Sequence, residues 1–107
     1  TKALNFLEAK GFILLERNYY VKGGEIDLIM QDKDFIVFVE VRSLKFNTDR
    51  DVYSTLTNTK KKHLQRTVNN WLYKNKKQDQ PWRFDYVGIT HNEATEVIEH
   101  FEFVSLN

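Results

Sequence analysis

Chemistry is concentrated in two short runs of this chain, Gly24-Glu25-Ile26-Asp27-Leu28-Ile29 and Phe38-Val39-Glu40-Val41-Arg42. Each sets carboxylates inside an apolar, β-branched stretch. A carboxylate there is costly unless it is paired or binds a metal. The first run is bounded by Gly23-Gly24 and by Gln31-Asp32-Lys33-Asp34, and the second extends over residues 35–42. Two such runs around a short polar segment predict a β-hairpin. With the turn centred between Asp32 and Lys33, Asp27 lies opposite Phe38 and Glu25 opposite Glu40. Side chains alternate along a strand. Glu25, Asp27, Glu40 and Arg42 then share one face, and Ile26, Leu28, Val37, Val39 and Val41 the other. Asp27 and Glu40 become diagonal neighbours, about 7–8 Å apart. Repulsion between them would be offset by a hard divalent cation such as Mg²⁺, which prefers oxygen ligands and retains several waters. The alternative is a solvated strand face with a Glu40–Arg42 ion pair, and the apolar flanks favour the metal site over it.

These runs resemble the YraN-like family of small bacterial proteins, predicted endonucleases of the PD-(D/E)xK type related to archaeal Holliday-junction resolvases. The resemblance rests on Gly-Gly-Glu-Ile-Asp-Leu-Ile and Val-Phe-Val-Glu-Val-Arg. It extends to Ala3, Phe6-Leu7 and Gly11-Phe12, to Leu15 through Tyr19 before the first strand, to Lys60 and Leu64 in a second helix, and to Arg83-Phe84-Asp85. It implies a single domain over residues 1–107 with a restriction-endonuclease-like core, a central mixed β-sheet flanked by α-helices.

The resemblance implies Asp27 and Glu40 as catalytic acids and ligands of Mg²⁺ or Mn²⁺, with the Val41 backbone carbonyl completing the site. Arg42 stands where the superfamily usually has lysine. Arginine stays protonated and is a poor base, but it can grip a phosphate and stabilise developing charge. An ion pair with Glu40 or Glu25 is the competing role for it. Glu25 reads as a supporting residue. Gly23 and Gly24 permit a positive φ or a close backbone approach, most simply a turn or bulge. Aligning Ala3 with the family's first-helix alanine places a Gly-Glu pair ahead of Thr1. A trimmed start is therefore expected, with one glutamate of the site upstream; Glu8 does not match it.

A helix is predicted from about Thr57 to Lys74, with Leu64, Val68, Trp71 and Leu72 at helical spacing and Thr57 or Asn58 as N-cap. Trp71 reads as core. Lys60, Lys61, Lys62 and Arg66 oppose the macrodipole or lie on the polar face. Contact with a nucleic-acid backbone explains them, as does ordinary solvation for Lys61 and Lys62; Lys60 points toward the sheet. The polar segment from Ser43 to Leu56, with Lys45, Arg50 and Tyr53, reads as a loop beside the site, with a short strand near Val52–Tyr53. Gln78–Pro81 is a turn. Strands follow at 82–89 and 96–104, joined near His91-Asn92-Glu93. Asp85 reads as a supporting residue that orients Arg83, Arg42 or a helix end, and His100 as a hydrogen-bonded core histidine.

Composition narrows the class. The chain has 107 residues, 41% hydrophobic and 14% aromatic, which suits one folded domain. It has no cysteine, so disulfides, thiolate metal sites and cysteine nucleophiles are excluded. Its three histidines lack metal-ligand spacing, which disfavours a zinc hydrolase. No apolar run is long enough to span a membrane, and the simplest location is the cytoplasm. The net charge of +1 makes the distribution of charge matter more than its total. DNA is the expected partner, with a homodimer implied by analogy with the resolvases. The function implied is metal-dependent cleavage of DNA phosphodiesters, with branched or structured DNA as substrate. The alternative is an inactive nucleic-acid-binding or protein-interaction module on the same fold.

Overall fold

The computed structural model describes residues 1–45 and 56–107. In chain order it contains α1 (Lys2–Ala9), β1 (Ile13–Val21), β2 (Gly24–Asp32), β3 (Phe35–Lys45), α2 (Asn58–Lys74), β4 (Trp82–His91) and β5 (Glu96–Phe101). The five strands form one sheet in sequential order. All neighbours are antiparallel except β3 and β4, which run parallel with α2 in the connection between them. One helix packs on each face.

Ala3, Leu4 and Leu7 of α1 meet Leu28, Met30, Val37, Val39, Val87 and Ile89. On the other face Leu64, Val68, Trp71 and Leu72 of α2 meet Ile26, Ile29, Ile36, Phe38, Phe84 and Tyr86. A sheet covered on both sides explains why residues 36–39 are all buried. Both helices have defined ends. The α1 chain leaves through Gly11 at φ 99°, with Gly11 N–H donating to Glu8 O and Phe12 N–H to Leu7 O. Thr57 caps α2, its hydroxyl oxygen accepting from Lys60 N–H at 3.2 Å.

Four expectations are corrected. Residues 13–21 are a full strand, β1, rather than a segment leading into the first strand. The β2–β3 turn is centred one residue later: Asp32 pairs with Phe35, and Lys33, at φ 55°, takes the left-handed turn conformation. β3 continues through Lys45, still paired with β4, where the loop was expected to begin at Ser43. β5 ends at Phe101, short of the expected Val104, and the chain turns through Phe103 at φ 55° to donate Val104 N–H to Phe84 O. The expected short strand near Val52–Tyr53 lies outside the described residues.

The turn displacement moves the β2–β3 register by two residues, so faces are preserved. The ladder stops at Leu28↔Val39, and beyond it Asp27 meets β3 through its side chain. Two side chains change face, Ile26 and with it the exposed Glu25, which was expected to share the face of Glu40. Asn18 of β1 has φ 54°, and the β1–β2 pairing runs from Arg17↔Leu28 to Tyr19↔Ile26. Alternation breaks at this step, so Ile26 joins the α2-side core while Leu28 stays on the α1 side.

Candidate functional site

The break in β2 gives Asp27 its position. Its Oδ2 accepts the Val41 N–H at 2.8 Å, so a side chain stands in for a ladder bond where the two strands part. Glu40, the neighbouring residue of β3, is only 6% exposed. Its pKa is pushed up to about 8, first by burial, then by a hydrogen bond to the Asp27 side chain and by the Asp27 charge; Arg42 and Lys60 pull it down. Burial and the Asp27 side chain thus favour the protonated form of Glu40. The Arg42 guanidinium Nη2 donates to Glu40 Oε2 at 3.3 Å. The Glu40–Arg42 contact foreseen as one role of the arginine is thus present, as a hydrogen bond from the guanidinium to the buried carboxyl.

Gly24 sets the distance between α2 and this pair. A Cβ on Gly24 would overlap Thr67 Oγ1 and lie 3.3 Å from the His63 carbonyl oxygen. The absent side chain lets α2 rest on the start of β2. Thr67, fully buried, donates its hydroxyl back to the same carbonyl at 2.7 Å. Gly23, at φ 86°, takes the turn between Val21 and Gly24. A cavity of ≈ 130 Å³ remains between helix and sheet, walled by Glu25, Glu40, Arg42, Lys60, His63 and Leu64.

The expected site residues are thus partly gathered. Glu40, Arg42 and Lys60 wall one cavity that the Gly23–Glu25 segment borders; Asp27 lines a different hollow and reaches Glu40 through a side-chain hydrogen bond. Lys62 and Arg66 lie exposed along the outer side of α2, where they line a shallow depression with His63, and Lys61 is half-buried. Asp85 is elsewhere. Its register partner is Val39, so it faces the α1 side while Glu40 faces α2. There Arg83 Nε donates to Asp85 Oδ1 at 3.0 Å, and Arg83 Nη2 pairs with Asp32 at 3.0 Å and Glu102 at 3.3 Å. His100 Nε2 lies 2.7 Å from Asp85 Oδ2, and its Nδ1 lies 2.9 Å from Lys10 Nζ. The ammonium can only donate, so Nε2 carries the proton given to Asp85. The Arg83 guanidinium is sandwiched among Phe12, Phe35 and Phe103. Burial lowers its pKa, and Asp85 and Asp32 more than reverse that. Of the partners expected for Asp85, Arg83 is the one present. His100 is the hydrogen-bonded core histidine expected from its strand.

His63 was passed over in the sequence because it ends a basic run that reads as solvated. Its signal is the spacing from Lys60: three residues along a helix put both on one face. A second hollow, of ≈ 350 Å³, opens on the other side of Asp27 and includes Arg17, Asn18 and Val41 in its lining.

Asp27 and Glu40 together supply hard oxygen donors of the type a divalent cation takes. Among the described residues no helix is long and apolar enough to cross a membrane.

The model of a family described as "Uncharacterised protein family UPF0102" matches residues 1–89, a span that holds Asp27, Glu40, Arg42 and Lys60. A UPF0102 protein of Nitrosococcus oceani is 37% identical over 97 residues, covering 90% of this chain and 78% of that protein. One from Carboxydothermus hydrogenoformans is 32% identical over 105 residues, covering 95% and 86%. One from Caldicellulosiruptor saccharolyticus is 38% identical over 101 residues, covering 92% and 83%. With the family match spanning both acidic strands and α2, and relatives aligned over nine-tenths of its length, the chain belongs to the UPF0102 family.

Proposed function

We propose that this protein is a metal-dependent endonuclease with a restriction-endonuclease-like, PD-(D/E)xK core, acting on DNA phosphodiesters. Branched or structured DNA is the substrate class suggested by analogy with the resolvases. The observation that carries the reading is a geometric one: Asp27, held by the Val41 N–H, meets a buried Glu40 that shares a cavity with Arg42 and Lys60. Asp27, Glu40 and the Val41 carbonyl would hold Mg²⁺ or Mn²⁺. When bound, such an ion supplies Lewis acidity toward the phosphoryl oxygens and lowers the pKa of water.

The remaining work falls to the chain. The Val41 N–H fixes Asp27 in one orientation. Arg42, released from Glu40, offers planar paired donors to a phosphate and to the charge that develops on it. Lys60 adds positive charge from the helix side, and Lys61, Lys62 and Arg66 extend that field along the backbone of a bound strand. Arg42 cannot take a proton, so no general base is assigned to it.

A binding module without turnover is the second reading. The Arg42–Glu40 contact favours it, because it engages the residue in the usual lysine position within the chain itself. Calorimetry with Mg²⁺ and Mn²⁺, followed by cleavage assays on duplex, flap, single-stranded and four-way-junction DNA, separates the two. The nuclease reading expects metal-dependent cutting that falls on the order of 10²-fold or more in Glu40→Ala and Asp27→Asn. Salt-sensitive binding to DNA with no cutting of any substrate would leave the module.

A further inference from the structure

We infer that His63 is a phosphate-contacting residue, which with Arg42 and Lys60 holds a phosphodiester in the cavity between α2 and the acidic strands. The inference deepens the proposed function by naming a residue and the ligand chemistry of its site.

Three observations support it. The cavity, at ≈ 130 Å³, has room for a phosphate group. Its wall holds Arg42 and Lys60, so anion-binding groups face it from both β3 and α2. His63 is placed there by its backbone. Its carbonyl accepts the Thr67 hydroxyl at 2.7 Å and would lie 3.3 Å from a Cβ on Gly24, so the helix is seated against β2 at this residue. A side chain on such a well-seated turn is held in position at little entropic cost.

The competing role is an ordinary surface histidine on a basic helix. Its neighbours argue against that role. Lys62 is exposed, whereas His63 is half-buried and lies between the outer depression it shares with Lys62 and the wall that includes Glu40. A neutral imidazole still offers one ring N–H to a phosphoryl oxygen, and a charged one offers two. Contact with phosphate therefore follows from position and does not depend on the protonation state.

The test reads the ring directly. The intact chain is titrated, with Ca²⁺ in place of Mg²⁺, first with inorganic phosphate and then with a short single-stranded oligonucleotide. The ring resonances of His63, His91 and His100 are followed by NMR. The expected result is a saturable shift confined to His63, seen with the oligonucleotide and more weakly with free phosphate. In parallel, His63→Gln and His63→Asn should weaken oligonucleotide binding by roughly 5- to 10-fold, the loss of one charge-assisted hydrogen bond. Their unfolding midpoints should remain unchanged.

An unmoved His63 ring at saturating oligonucleotide overturns the inference, as does wild-type affinity in both variants. Should a variant fail to fold, the wild-type ring shifts decide alone. Binding through His63 with no cleavage of any DNA would leave this inference standing and remove the nuclease reading. Cleavage without a His63 shift would do the reverse.

Discussion

Glu40 sits where a carboxylate is expensive, and pH should expose that expense. An unfolded chain releases its proton near 4.5, whereas the native site holds it to about 8. Between those values the native state binds the extra proton, so metal-free stability falls as pH rises, by at most about 1.4 kcal/mol per pH unit. The contribution is complete below 4.5 and gone above about 8. Urea unfolding of chelator-treated protein at about pH 6 and about pH 9 should show the wild-type midpoint dropping. Glu40→Gln, with no proton to lose, should be flatter across the same interval and more stable than wild type at the alkaline end. An equal pH response in both proteins would place the cost on another group. Arg42→Ala should steepen the wild-type effect, since it removes a cation that eases ionisation of Glu40.

At the scale of elements, the seat of α2 on β2 depends on one missing methyl group. Gly24→Ala forces its Cβ into Thr67 Oγ1, and overpacking of this kind costs about 1–3 kcal/mol. Gly24→Ala with Thr67→Ala removes the overlap. The pair should therefore be less destabilised than the two single costs added together, a coupling that chemical denaturation of the four proteins would measure. This seat was only half legible in the sequence. Glycines at 23 and 24 signalled a turn or a close approach; which one did which became clear only once α2 had a place to go. The two acidic strands and α2 were readable from β-branched runs and helical spacing. β1 was not. Ile13 and Leu15 are exposed, Tyr19 alone is buried, and an edge strand with so little to bury shows no alternation. Ile26 changes face for a related reason. The irregular step opposite Asn18 breaks the period of two that a strand pattern assumes. The two-residue register difference did no harm to the site, because an even displacement keeps Asp27 and Glu40 together.

Across the whole molecule, the Asp85 network ties together what the sheet alone does not. Through Arg83, His100 and the Phe103 N–H, one buried carboxylate links the β2–β3 turn, β4, β5, the residues after it and, by way of Lys10, the end of α1. Arg83-Phe84-Asp85 was visible in the sequence, but its partners come from positions 10, 32, 100 and 102, and no local pattern announces them. Removing Asp85 takes the buried acceptor away from Arg83 Nε, the His100 ring and the Phe103 N–H at once. Asp85→Ala should cost about 3–5 kcal/mol in urea unfolding. If Asp85 instead belonged to the metal site, the substitution would abolish Mn²⁺ binding in protein that remains folded; the expected outcome is unchanged affinity.

Among the described residues the sheet ends in β1 on one side, and that margin is neither straight nor regular. Its pairing slips between Leu14 and Glu16, and Asn18 takes a left-handed backbone conformation. A kinked margin offers an incoming chain a poor row of donors and acceptors. The same distortion that gives Asp27 its place thus also discourages edge-to-edge pairing, and a variant that ironed β1 flat would exchange that placement for a template for aggregation.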